Sequence, residues 1–306
     1  MADHHVIVGA GAAGRAVAEH LAERGSHVTV VTRSGTNTGT GGVEHVAADA
    51  SDADGLTEIV DGADVLYNCA NPGDYTTWVS VWPPLASAML TAAERTGATY
   101  AITGNLYPYG PLVEPMTESH PDVATDKKGR LRAAMWAGAL AAHSDGRVQV
   151  VEVRAADYVG PGVGDNGHVT RHLATLKAGK RAWVIGSADQ AHSFTDVGDL
   201  AVALVAAAED ESAHGRVWHA PTHAPRTQRQ VIGDVARAGG FPEAKVSALP
   251  GAVLASAAMV VPMLREVREM SYQWVRPYVL DDTASRSHFR LEPLPWDEIC
   301  RRTAAG

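Results

Sequence analysis

Cysteine is almost missing from this chain: Cys69 and Cys300 are its only two, far apart and outside any CxxC. That excludes a disulfide framework and a cysteine zinc site, and it fits a reducing, cytoplasmic setting. Positive charge is short as well, with 26 Lys and Arg against 35 Asp and Glu and a net charge of -9. Phosphate backbones need a cationic face, and Lys127-Lys128 is too short a run to make one, so no nucleic-acid partner is predicted. No apolar run reaches the roughly 20 residues of a membrane span. The most apolar window, 251–264, holds Ser256 and Pro262 and predicts a buried helix, with no membrane partner. Ahead of His5-Val6-Ile7-Val8 there is no apolar segment of the signal-peptide kind, which predicts that the chain is not exported.

What is present is globular material: 45% hydrophobic and 20% charged residues, without a low-complexity tract or internal repeat. A length of 306 residues suits one large α/β domain, or a nucleotide domain with a smaller appendage.

His5-Val6-Ile7-Val8 is a short apolar run that ends in glycines. From Ala12 to Arg24, Val17, Ala18 and Leu21 recur at helical spacing, Gly25 closes that helix, and Val28-Thr29-Val30-Val31 is a β-branched run. The pattern predicts strand, helix and buried parallel strand. Further strands are predicted at 44–48, 65–69, 100–103 and 148–154, with helices at 56–60, 85–96 and 131–143. This alternation predicts an α/β fold, a Rossmann doubly wound parallel sheet. After Pro161 the regularity loosens, with a helix at 168–178, a strand at 183–185, a helix at 199–208 and a strand at 217–219. The reading is therefore a dinucleotide-binding domain over 1–160, rejoined by 186–218, and a smaller interleaved C-terminal substrate lobe over 161–185 and 219–306.

The turn between first strand and first helix reads Gly9-Ala10-Gly11-Ala12-Ala13-Gly14. In GxGxxG the first glycine permits the tight turn, the second admits the pyrophosphate and the third allows helix to pack on strand. The helix N-terminus then faces the phosphates. Past the second strand, where NAD-specific sites offer an acid to the ribose 2′-hydroxyl, the chain has Thr32-Arg33-Ser34. Arg33, with those two hydroxyls and Arg15, suits a 2′-phosphate, so NADPH is predicted over NADH.

Later segments fall in a recognisable order. They are Asp49-Ala50-Ser51-Asp52, Asn68-Cys69-Ala70-Asn71-Pro72, Tyr107-Pro108-Tyr109-Gly110-Pro111, the stretch from Arg154 to Pro161 containing Ala155 and Ala156, and the stretch from His192 to Asp199. Together with the glycine turn they resemble the extended short-chain dehydrogenase/reductase superfamily, of the NAD-dependent epimerase/dehydratase type, over nearly the whole chain. The resemblance implies that Asp49 and Ala50 contact adenine, that Ala70 and Asn71 lie on the loop after the fourth strand, and that Ala155 and Ala156 meet the nicotinamide. It also implies a Tyr-x-x-x-Lys pair for proton transfer, and this sequence contains none. Between Leu112 and Asp157 there is no tyrosine; the helix there reads Lys127-Lys128-Gly129-Arg130-Leu131-Arg132. The family's hydroxyl beside the substrate oxygen falls on Thr103 or, with an insertion, on Asn105.

Hydride transfer gains from holding the partners together even without a positioned acid. The proton would then come from a substrate phenol already bonded to the carbonyl, from water, or from Asn105, Tyr107 or Tyr109. Trp78, Trp82, Met135, Trp136, Tyr158, Met259, Met263, Tyr272, Trp274 and Tyr278 predict an aromatic wall in the second lobe, suited to a flat ligand. These features are similar to reductases that tailor aromatic polyketides. The leading expectation is an NADPH-dependent ketoreductase of such a small-molecule aromatic substrate, an angucyclinone among the possibilities, in antibiotic biosynthesis. A sugar-nucleotide epimerase or dehydratase and a non-catalytic NAD(P)-binding sensor are the alternatives. His168 and His172 stand one turn apart without a third ligand, so no metal is predicted. Glu114, Glu118 and Asp122 read as solvated loop residues, and Asp196 and Asp199 as helix-capping residues.

Overall fold

The computed structural model describes residues 3–112, 114–250, 256, 259 and 261–306. β1 (His4–Val8), α1 (Ala12–Glu23) and β2 (His27–Thr32) form the first crossover, with the strands parallel and His5 opposite Val28. Val6, Ile7, Val28, Val30 and Val31 are fully buried, which is why these strands are apolar throughout instead of alternating. There follow β3 (Val43–Ala47), α2 (Ala53–Val60), β4 (Val65–Asn68), α3 (Trp78–Thr96), β5 (Thr99–Asn105), α4 (Lys127–Ser144) and β6 (Val150–Ala155). The rest of the chain adds β7 (Asp157–Val159), α5 (Leu173–Lys177), β8 (Arg181–Val184), β9 (Phe194–Asp196), α6 (Val197–Glu209), β10 (Val217–His219), α7 (Gln228–Ala238) and β11 (Lys245–Ala248).

Seven strands make one parallel sheet in the order β10-β6-β5-β4-β1-β2-β3, with apolar cores on both faces. The order reverses between β1 and β4, and doubly wound sheets take their ligands at the carboxyl ends of the strands at such a point. Beyond β6 the chain leaves the sheet. β7 pairs with β9, placing Asp157 opposite Phe194, and β8 pairs with β11. A third core gathers Val159, Leu176, Val231, Ile232 and Ile299. Between these excursions α6 packs on α1 and β10 joins β6, so 197–219 lie with the main sheet.

Three expectations change. The helix read over 168–178 is a single 3₁₀ turn, Thr170–His172, followed by α5; the Thr170 hydroxyl donates to the Gly164 carbonyl at 2.5 Å and ties the turn to the loop before it. Most of the apolar window 251–264 lies outside the described residues. Its Met259 is 72% exposed, and a helix runs over Pro262–Glu269, with proline in the first turn where its missing N–H costs nothing. Trp78, Trp82, Met135 and Trp136 belong to α3 and α4, on the flank of the main sheet and not in the second lobe, because helical stretches between strands cover the sheet's face.

Candidate cofactor and substrate site

Gly9 adopts φ +105°, and a Cβ there would lie 2.8 Å from the Cys69 carbonyl oxygen. A Cβ on Gly14 would run into the Gly9 carbonyl oxygen. These two glycines let α1 close onto β1 and the end of β4. Gly11 differs, since a Cβ there meets no protein atom within 4 Å and would project into space that a cavity already occupies. α1 has no acid in its first turn and no side-chain cap at Gly11, so its N–H groups and positive end remain available to a phosphate. The turn therefore fits a dinucleotide pyrophosphate.

At the far end of the crevice Arg33 is exposed on the loop after β2, with no carboxylate bonded to it among the described residues. Thr32 and Ser34 shape that loop: the Thr32 hydroxyl accepts from the Thr36 N–H at 2.9 Å, and the Ser34 and Thr36 hydroxyls are 2.6 Å apart. Arg15 donates from Nε to the Ala10 carbonyl at 2.9 Å and keeps its head exposed. Asp49 accepts from the Ser51 hydroxyl at 2.7 Å and its N–H at 3.0 Å, and these bonds hold its carboxyl below the usual range. Ala50 is buried beneath it.

A cavity of about 280 Å³ opens at the switch point. Its walls include Gly11, Ala12 and Ala13 of the turn, Ala70 and Asn71 after β4, Ala155 and Ala156 at the end of β6, Thr103 and Asn105 of β5, and Tyr107 just beyond it. Thr103 spends its hydroxyl proton on the Asn68 carbonyl at 2.7 Å. Asn105 accepts from the Tyr107 N–H at 3.1 Å through Oδ1, and its amide nitrogen has no partner among the described residues. Of these two, Asn105 keeps a free donor. The Tyr107 and Tyr75 hydroxyls are 2.8 Å apart, and burial raises the Tyr107 phenol well above its ordinary value. Tyr109 is a correction: it is fully buried away from the cavity, bonded to His219 at 2.8 Å with the Arg154 guanidinium 4.6 Å over its ring, because the turn Tyr107–Tyr109 sends its two tyrosines opposite ways.

Asp126 caps α4, its side chain accepting from the Gly129 N–H at 2.7 Å. The helix carries Lys128 and Arg132 one turn apart near its start. Lys128 is buried and ion-paired with Glu266 and, at 2.7 Å, with Glu269. Burial alone would lower its ammonium, but the two carboxylates hold it above the ordinary value. Arg132 lines the cavity, donates to the Thr103 carbonyl at 2.5 Å and lies 4.9 Å over the Trp82 ring. Asp122, read as a solvated loop residue, grips the buried Arg154 through two bonds of 2.6 and 2.9 Å. A lone guanidinium among apolar strands would be too costly to leave unpaired.

The sequence missed a cluster at the substrate end. Asp157 and His168 both line the cavity. The Asp157 Oδ2 accepts from His192 Nε2 at 2.9 Å and from the Trp274 indole at 3.3 Å, with His168 Nε2 at 3.8 Å. Burial would raise this carboxyl, yet the His168 and His192 imidazoles and the bonds to Oδ2 hold it well below the usual carboxylate range. Burial takes the His168 imidazole down to about 4. The signal available was an acid opening one short strand and a histidine two residues ahead of another, which becomes informative only once β7 and β9 are known to pair.

Residues 5–220 match the NAD dependent epimerase/dehydratase family, and the chain belongs to it. Its fold superposes on dTDP-glucose 4,6-dehydratase of Bacillus anthracis in complex with NAD with a TM-score of 0.80 at 14% identity, covering 99% of this chain and 96% of that one. UDP-glucose 4-epimerase of Thermotoga maritima with UDP-glucose gives 0.80 at 16% identity, covering 99% and 97%. A curated relative, shikimate dehydrogenase (NADP(+)) of Haloarcula marismortui, is 31% identical over 120 residues; the match takes in 32% of this chain and 45% of that protein's length. A nicotinamide dinucleotide is the cofactor that the family implies and the glycine turn fits; bound here, it would supply or accept a hydride. Among the described residues no helix is long and apolar enough to cross a membrane.

Proposed function

We propose that this protein is an NADPH-dependent ketoreductase of a flat aromatic ketone of the polyketide kind. The observation that carries the reading is the cavity itself. The dinucleotide turn runs directly into walls formed by Tyr75, Trp78, Tyr107, Tyr158 and Tyr278, while α4 offers Lys128 and Arg132 instead of a phenol and its lysine. Aromatic faces bind a planar ligand through large contact area at small entropic cost. An epimerase or dehydratase must draw a proton off its sugar and return it, which suits a positioned base; a reduction needs only one proton delivered. NADPH is favoured by Arg33, which is exposed and hydrogen-bonded to no carboxylate among the described residues although Asp49 lies near enough to feel its charge, and the curated relative named for NADP(+) is consistent with it. The sugar-nucleotide reading has its own support, because the structures that superpose are of that kind.

Following NADPH absorbance with a panel of hydroxylated aromatic ketones, simple ketones, UDP-glucose and dTDP-glucose separates the two. Consumption of NADPH with an aromatic ketone supports the reductase. Conversion of a sugar nucleotide without net cofactor consumption sinks it, and binding without turnover of any of them supports a sensor.

A further inference from the structure

His192 is held between two acceptors. Its Nδ1 faces the Gln273 carbonyl at 3.1 Å and its Nε2 faces Asp157 Oδ2 at 2.9 Å. A carbonyl cannot donate, so Nδ1 carries a hydrogen, and the bond at Nε2 then needs one more proton, on the imidazole or on the carboxyl. The pair therefore holds a proton between its two members. The Trp274 indole donates to the same Oδ2, which favours the ionised carboxylate as acceptor. Every hydrogen bond and ion pair to the Asp157 carboxyl from the described residues falls on Oδ2, so Oδ1 has no partner among them, and Asp157 is one of the residues that line the cavity. The other titratable or polar groups around it are His168, which stacks 4.4 Å from the Trp274 ring, the Tyr75, Tyr107 and Tyr278 phenols, and Arg171 beyond His168.

From this geometry we infer that Asp157 Oδ1, backed by His192, is the specificity-determining group of the cavity. It accepts a hydrogen bond from a hydroxyl that the substrate carries, and it repels any ligand that would place an anionic phosphate there. This rests on the ketoreductase reading and narrows it to an uncharged, hydroxylated ketone. An acceptor-only oxygen discriminates between ligands, because an O-methylated ligand leaves it unpaired and a phosphate oxygen meets like charge. His192 acts through Asp157 and is a positioning residue.

The test compares a hydroxylated aromatic ketone with its O-methyl ether, by KM and by equilibrium binding read from quenching of tryptophan fluorescence, in wild type, Asp157→Asn and His192→Gln. Wild type is expected to favour the hydroxylated ligand by about 10- to 100-fold, and Asp157→Asn to lose that preference while its dinucleotide affinity holds. His192→Gln keeps a donor to Oδ2 but removes the imidazole, so its preference should fade as pH drops through the ordinary carboxylate range, where wild type keeps it. Equal binding of the two ligands by wild type, or an unchanged preference in a folded Asp157→Asn protein, overturns the inference. If Asp157→Asn does not fold, the pH dependence of His192→Gln decides alone. Should no ketone be reduced while hydroxylated ligands still bind in an Asp157-dependent way, the reductase reading fails and the assignment of Asp157 stands.

Discussion

Gly11 and Gly14 stand three residues apart and answer to different constraints. A methyl at position 14 collides with the Gly9 carbonyl, whereas at position 11 it meets only the cavity. Gly14→Ala should therefore destabilise the fold by about 1–3 kcal/mol as well as abolish dinucleotide binding. Gly11→Ala should leave the denaturant midpoint near wild type and weaken dinucleotide binding, and paired unfolding and fluorescence titrations distinguish the two. The proposed NADPH preference rests on Arg33. Its guanidinium is exposed, so its effect depends on a 2′-phosphate arriving and is screened by salt. Arg33→Ser should cut the ratio of NADPH to NADH affinity about 10- to 100-fold at low ionic strength, leaving NADH affinity unchanged. A ratio unaffected by the substitution would assign the preference elsewhere.

Among the elements, α6 starts with two buried acids, Asp196 and Asp199. Asp196 caps it by accepting from the Gly198 N–H at 2.8 Å. Asp199, in the first turn, accepts from the Leu294 N–H at 3.1 Å, but burial pushes its carboxyl up to about 7. An acid whose folded value is raised favours the native state below its unfolded value near 3.8, and that contribution is lost as pH rises through about 7. Asp199→Asn should therefore gain stability over wild type progressively between about pH 4 and pH 7, by up to about 4 kcal/mol. Urea unfolding of both proteins at several pH values reads this; parallel curves would show that Asp199 is ionised throughout. β7 and β9 make the complementary point about legibility. Each is three residues long, too short for periodicity to announce, yet their pairing is what brings Asp157 and His192 to 2.9 Å.

For the whole molecule, the nucleotide half could be read in the sequence because its constraints are local: apolar strands buried on both faces, glycines fixed by one turn, and a basic loop immediately after β2. The substrate end could not, because it is built from distant pairs. Lys128 meets Glu266 138 residues later, and Asp157 meets His192 across 35 residues. Tyr107 and Tyr109 looked alike in sequence until a 3₁₀ turn placed one on the cavity and the other beneath the sheet's edge at His219. The aromatic wall was anticipated in composition but misplaced, since Trp78 reaches the cavity from α3 whereas Trp82 and Trp136 pack inside. A dinucleotide cradle thus opens into a cavity walled by Tyr75, Trp78, Tyr107, Tyr158 and Tyr278. Net reduction of a ketone is the proposed reaction, and isotope transfer from the cofactor follows it atom by atom. NADPH deuterated at the transferring position of the nicotinamide should leave one deuterium on the new carbinol carbon of a hydroxylated aromatic ketone, with one NADP+ formed per alcohol. A redox-neutral sugar-nucleotide product carrying no deuterium, with the added NADPH unconsumed, would contradict it.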